Sequence, residues 1–208
     1  MPLLRVALMA LSLLSLGIVA SGCKSGDEAP AATAVETAVA TELSPDIQDV
    51  NAVIDAVLSR DPQRVAPLIS YTSIPCRVPP RLPGGPPECA TTETDGAPVE
   101  VLPADQCEGF YIRADEIDVA QTLSGFLASD PALFAVYHAP ARFWPPGEYV
   151  ALLSVNHPSL GYVGRGLVIA GGHLVGLDYG CGQTPLQIVE SDKLSDVVVA
   201  PSGAIPTP

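Results

Sequence analysis

Residues 161–179 read GYVGRGLVIAGGHLVGLDY. Two apolar runs rich in Val, Leu and Ile, Gly161 to Ile169 and Leu174 to Tyr179, flank the pair Gly171-Gly172. Glycine adopts the positive φ of a tight hairpin turn without strain, so this stretch predicts two antiparallel strands joined at Gly171-Gly172. The spaced glycines Gly161, Gly164 and Gly166 join strands here and do not lead into a helix, which excludes a phosphate-binding loop. Working back, Tyr149 to Val155 and Leu133 to His138 have the same composition. They are separated by the turn clusters Asn156-His157-Pro158 and Trp144-Pro145-Pro146-Gly147. Sequential strands joined by short turns pair antiparallel.

Helical signals stand further upstream. Ser44-Pro45-Asp46 combines a capping hydroxyl, a proline suited to the first turn and an acid that complements the helix dipole. Behind it Ile47, Val50, Ile54, Val57 and Leu58 form one stripe, with Gln48, Asp49 and Asp55 facing away. Asp61-Pro62 repeats the start signal for a short second helix carrying Val65, Leu68 and Ile69. Asp115-Glu116-Ile117-Asp118 opens a third, with Ile117, Leu123, Phe126 and Leu127 inward. These acids are read as a helix start and not as a calcium loop, because they lack alternating oxygen ligands. Tyr71 to Ile74 is a short strand; another runs through Val99 and Val101, and Phe110-Tyr111-Ile112 continues it.

The predicted fold class is α+β: a curved antiparallel sheet with about three helices on one face. The helix stretch Asp49 to Leu58 followed by Asp61, and the closing Ala170-Gly171-Gly172-His173-Leu174-Val175, resemble the NTF2-like or SnoaL-like cone fold over Ser44 to Tyr179. That resemblance implies a cavity between helices and sheet, used by different members for catalysis, ligand binding or protein association. The excursion from Pro75 to Gly96 is no part of that plan.

The N-terminus reads as an export signal: Arg5, then an apolar run from Val6 to Ala20, shorter than the roughly 20 residues that span a bilayer. Its end, Ala20-Ser21-Gly22-Cys23, resembles the lipobox of bacterial lipoproteins, with Ala20 where Leu is usual. The resemblance implies cleavage before Cys23 and lipidation of its sulfur, hence a membrane anchor. The competing reading is an ordinary secretory signal cut near Ala20. The expected organisation is a signal over 1–22, a lipidated tether over 23–43, a single domain over 44–200 and a loose tail over 201–208. Loss of the signal leaves 9 basic side chains against 23 acidic ones, a net charge of −14. Such a field repels phosphate backbones, so nucleic acid is excluded as a partner.

Four cysteines remain: Cys76, Cys89, Cys107 and Cys181. Export places them in an oxidising compartment, and they allow three pairings. The expected one joins Cys76 to Cys89 around the proline-rich loop CRVPPRLPGGPPEC, and Cys107 to Cys181. Zinc sites favour closer pairs, and five prolines but no histidine stand between Cys76 and Cys89. No metal and no cofactor are expected.

No motif fixes a reaction. Of the histidines, His138 ends a strand, while His157 and His173 stand in or beside turns. The expected function is therefore a cell-envelope lipoprotein that binds a small ligand or an envelope protein outside the cytoplasm without catalysis. The alternative is a small-molecule isomerase or hydrolase using His138 as base with Asp178 or Tyr179, and Tyr111 as a polar wall. Asp178 and Tyr179 are neighbours on a strand, so only one of them can face a cavity.

Overall fold

The computed structural model describes residues 45–78, 84–105, 107–141 and 143–200. The export signal, Cys23, the tether and the tail all lie outside the described residues, as do Pro79 and Pro80 of the loop. The described elements are α1 (Pro45–Leu58), α2 (Pro62–Val65), β1 (Thr72–Pro75), β2 (Pro98–Asp105), β3 (Phe110–Arg113), α3 (Val119–Leu127), β4 (Ser129–His138), β5 (Tyr149–His157), β6 (Gly161–Ala170), β7 (His173–Asp178), α4 (Pro185–Ser191) and β8 (Val197–Val199). The fold is α+β, and none of these helices is long and apolar enough to cross a membrane.

All eight strands join one sheet in the order β1-β2-β7-β6-β5-β4-β8, with β3 on the other side of β2. The hairpin β6–β7 pairs antiparallel as its glycines require, Ile169 facing Leu174 and Ala170 facing His173. The sheet is mixed, however, and not wholly antiparallel. Ala104 and Asp105 of β2 run parallel to Leu177 and Asp178 of β7. Strand periodicity tells which face a side chain takes and not which neighbour a strand finds, so this pairing between distant segments could not be read locally. Phe110 to Ile112 likewise does not continue the preceding strand; it folds back on it, Leu102 opposite Ile112.

Side chains alternate across the sheet. Ala151, Leu153 and Val155 of β5 face the stripe of α1 and the buried Leu123, Phe126 and Leu127 of α3. Val150 and Leu152 face the opposite way, toward Phe134, Phe143 and Ile188. Helices therefore cover both faces, three on one and α4 on the other. The signal for α4 is present in the sequence: Thr184 accepts from the Gln187 amide, the Gln187 side chain accepts from the Thr184 amide, and Pro185 follows the cap. Gly164 and Gly166 lie inside β6. A Cβ on Gly164 would stand 2.4 Å from Ile188 Cδ1, so the missing side chain lets α4 lie directly on the strand. Helix α3 starts later than expected, capped by Asp118, whose carboxylate accepts from the Gln121 amide at 3.0 Å.

Asp115 and Glu116 serve instead as partners of Arg113, whose five donors are all used. Nε and Nη2 bond both oxygens of Asp115, Nη1 and Nη2 bond both oxygens of Glu93, and Nη1 also reaches the Glu88 carbonyl. Cys76 pairs with Cys89, their Cα atoms 4.9 Å apart. The Asp95 carboxylate receives the Val78 amide at 3.0 Å. The base of the proline-rich excursion is thus clamped by a disulfide, a buried guanidinium and a carboxylate. Arg113, together with the Ala90 amide, holds Glu93 below the usual carboxylate range.

Candidate functional site

Two strands that run parallel end side by side, and ligand clefts in such sheets form beyond the carboxyl ends of parallel strands. Here β2 ends at Asp105 and β7 at Asp178, paired in register. Each chain then turns away within three residues to Cys107 or Cys181. These cysteines pair, with Cα atoms 5.1 Å apart, and tie the two exits together. Asp192, the residue that caps the C-terminal end of α4, completes a set of three carboxylates around a cavity of about 420 Å³. Pro140, Phe143 and Trp144 of the β4–β5 connection form its apolar wall. Among the described residues lining this space there is no Lys, Arg or His.

The electrostatics of the three acids are unfavourable to charge. Asp178 is 6% exposed, and Gly180 donates its amide to Asp178 Oδ1 at 2.7 Å. Burial pushes its carboxyl up to about 6; the Gly180 hydrogen bond opposes the shift, and Asp105 and Asp192 add to it. Asp192 is raised by burial and by Asp105, against a hydrogen bond from Ser191. It also sits at the end of a helix where a negative charge opposes the dipole. Asp105 is raised by burial, with the Cys107 and Gly109 amides pulling the other way. The buried cation Arg165, across the sheet, opposes the rise of Asp178 only weakly. It donates to the carbonyls of Phe126, Gly164 and Tyr179, and its guanidinium stacks 5.2 Å from the Tyr179 ring centroid.

Trp144 also borders a second cavity, of about 440 Å³, shared with Tyr71, Tyr111, Pro103, Pro146 and Val175. The Tyr111 and Trp144 rings meet edge to face at 6.1 Å. Gly109, at φ +70°, lets the indole sit against the backbone, since a Cβ there would stand 3.2 Å from it. Pro145 seats the connection on the sheet in the same way: a Cβ on Gly176 would lie 2.1 Å from Pro145 Cγ.

The residues singled out from the sequence do not meet. His138 is exposed, stacks on Tyr149 at 4.8 Å and lines a third cavity of about 380 Å³ with Asp49 and Glu148. Asp178 faces the acidic cavity. Tyr179 turns to the other side of the sheet, its ring 5.0 Å from Phe126 and 6.0 Å from Phe110. The base and its two proposed assistants thus occupy three different environments. His157 Nδ1 accepts from the Ser159 amide, and His173 Nδ1 lies 2.8 Å from the Gly171 carbonyl, both within turns.

Among the described residues, one group of possible metal ligands lies within 4.8 Å, namely Cys76, Cys89 and Glu93. Its two sulfurs are already bonded to each other and offer no thiolate. Sequence reasoning missed Asp105, Asp192, Phe143 and Trp144. A signal existed for the first: Asp105 and Asp178 each close an apolar run and stand two or three residues before a cysteine of the same pair. Compared with known protein families, curated proteins and solved structures, the chain matches none.

Proposed function

We propose that this is a lipid-anchored protein of a bacterial cell envelope whose domain binds a ligand or protein partner outside the cytoplasm and does not transform it. The observation that carries the binding reading is the pair of cavities bordered by Trp144, one acidic and one aromatic, with no histidine or free thiol among their described lining residues. The one hydroxyl in the acidic cavity, Ser191 Oγ, is engaged by the Ile188 carbonyl and by Asp192. Large, partly apolar clefts with a few convergent polar groups are the usual form of a binding site. Two disulfides support an oxidising, non-cytoplasmic setting, and Ala20-Ser21-Gly22-Cys23 supports the anchor. The likeness to the NTF2-like cone fold belongs to the same proposal. It rests on the opening helices and the Gly171-Gly172 hairpin, and it has to accommodate β8 and the helix on the second face.

The reading is tested by placing a photoreactive phenylalanine analogue at position 144 of the full chain in its native envelope, with the exposed Arg64 of α2, which lines neither cavity, as control. Irradiation is expected to yield a discrete adduct from position 144 and none from position 64. Equal labelling at both positions, or none at either, overturns the binding site. No specific observation favours the enzyme built on His138.

A further inference from the structure

The two cavities that Trp144 borders differ in chemistry, and the difference specifies a ligand that neither would select alone. On one side Asp105, Asp178 and Asp192 face about 420 Å³ of space. On the other, Tyr71, Tyr111 and two prolines surround about 440 Å³. Trp144 is 37% exposed and forms a wall of both. A small cation would engage the carboxylates and leave the aromatic side empty. An apolar ring would fill the aromatic side and leave the three acids unengaged, which is costly in a poorly solvated site.

An occupant that satisfies both is elongated, cationic at one point and apolar and flat-faced beside it. Aromatic grooves of this kind accept proline rings, because a polyproline segment is already extended and loses little entropy on docking. A guanidinium matches carboxylates in geometry and charge and also stacks on an indole. Resting on the binding role proposed above, we infer that the two cavities bordered by Trp144 together recognise an extended proline-rich peptide segment of a partner protein carrying an arginine or lysine. The acids take the basic side chain, and Tyr71, Tyr111 and Trp144 take the prolines.

Trp144 is the single tryptophan of the chain, so its emission reports directly on the two cavities it borders. The test titrates the full-length protein in detergent with a synthetic Pro-Pro-Arg-Pro-Pro-Arg-Pro peptide. Controls replace Arg by Glu, replace Pro by Gly, or offer arginine amide alone. A saturable change in Trp144 emission is expected with the first peptide, and binding about tenfold weaker or worse with each control. The double substitution Asp105→Asn with Asp192→Asn, which spares the buried Asp178, is expected to weaken the arginine peptide about tenfold and to leave an all-proline peptide unaffected. Ring proton shifts of Tyr71 and Tyr111 in the unsubstituted protein give a second readout that needs no variant.

The inference is overturned if the Glu peptide binds as well as the Arg peptide, if arginine amide binds as tightly as the whole peptide, or if no peptide saturates. A crosslinked adduct at position 144 without peptide binding removes the peptide inference and leaves the binding role standing. Failure of both experiments removes both.

Discussion

Asp178 should make this protein less stable at neutral pH than at pH 4. Its carboxyl is pushed up to about 6 in the folded chain, chiefly by burial, against roughly 4 in an unfolded one. An acid whose folded pKa exceeds its unfolded value holds its proton more tightly in the native state. Its favourable contribution is therefore complete below about pH 4 and is lost as pH rises to about 6. Two pH units at about 1.4 kcal/mol each give a loss of about 3 kcal/mol by pH 8. Asp178→Asn removes the titration and keeps an oxygen to accept the Gly180 amide. The variant and the parent should have similar stability at pH 4, and the variant should be more stable by about 3 kcal/mol at pH 8, or roughly 6 to 12 °C in melting temperature for a domain of this size. Urea unfolding of the disulfide-intact protein, followed by far-ultraviolet circular dichroism at pH 4, 6 and 8, measures the difference. Comparing parent with variant cancels the opposite contribution of Glu93, Asp95 and Asp115, which are held below the usual range and favour folding above it. A pH-independent difference between the two proteins would falsify the assignment, as would a parent that gains on the variant while pH rises.

Four further outcomes follow from the packing. Cys107→Ser with Cys181→Ser opens a loop of 74 residues in separation and should lower stability by about 4 kcal/mol on chain-entropy grounds, measured by denaturant unfolding. Gly176→Ala puts a methyl group into Pro145, so it should cost about 1 to 3 kcal/mol and shift the emission of the adjacent Trp144. Ser154 Oγ is buried with no hydrogen-bond partner among the described residues, so Ser154→Ala should be neutral or stabilising by about 1 kcal/mol in the same assay. Arg113→Met removes the clamp on Glu93 and Glu88 and should speed limited proteolysis between residues 84 and 97, with fragments read by mass spectrometry; an unchanged cleavage rate would show that the disulfide and Asp95 hold the loop without Arg113.

The stretch Gly161 to Tyr179 and the opening helices were legible because their signals are local. A glycine pair between apolar runs, a proline behind a capping residue and a stripe at spacings of three and four each act within one element. The pairing of Cys76 with Cys89 is local in the same way, whereas Cys107 with Cys181, 74 residues apart, follows only as the pair left over; both pairs are present. The helix α4 carries an equally local signal, the box from Thr184 to Gln187. The candidate site was almost wholly illegible. Its acids come from β2, from β7 and from the end of α4, and its aromatics from a turn that reads only as a chain reversal.

By itself, then, the sequence determined the α+β class, the hairpins and the loop closed by Cys76 and Cys89, because backbone preference, side-chain periodicity and short cysteine spacing act between near neighbours. The tertiary structure alone decided that β2 runs parallel to β7, that helices cover both faces, and that Asp105, Asp178, Asp192 and Trp144 surround one space while His138 does not reach it. The physical reason is the same throughout: which strand edge finds which partner is settled by burying the whole sheet at once, and a site made at the meeting of distant strands exists only after that choice.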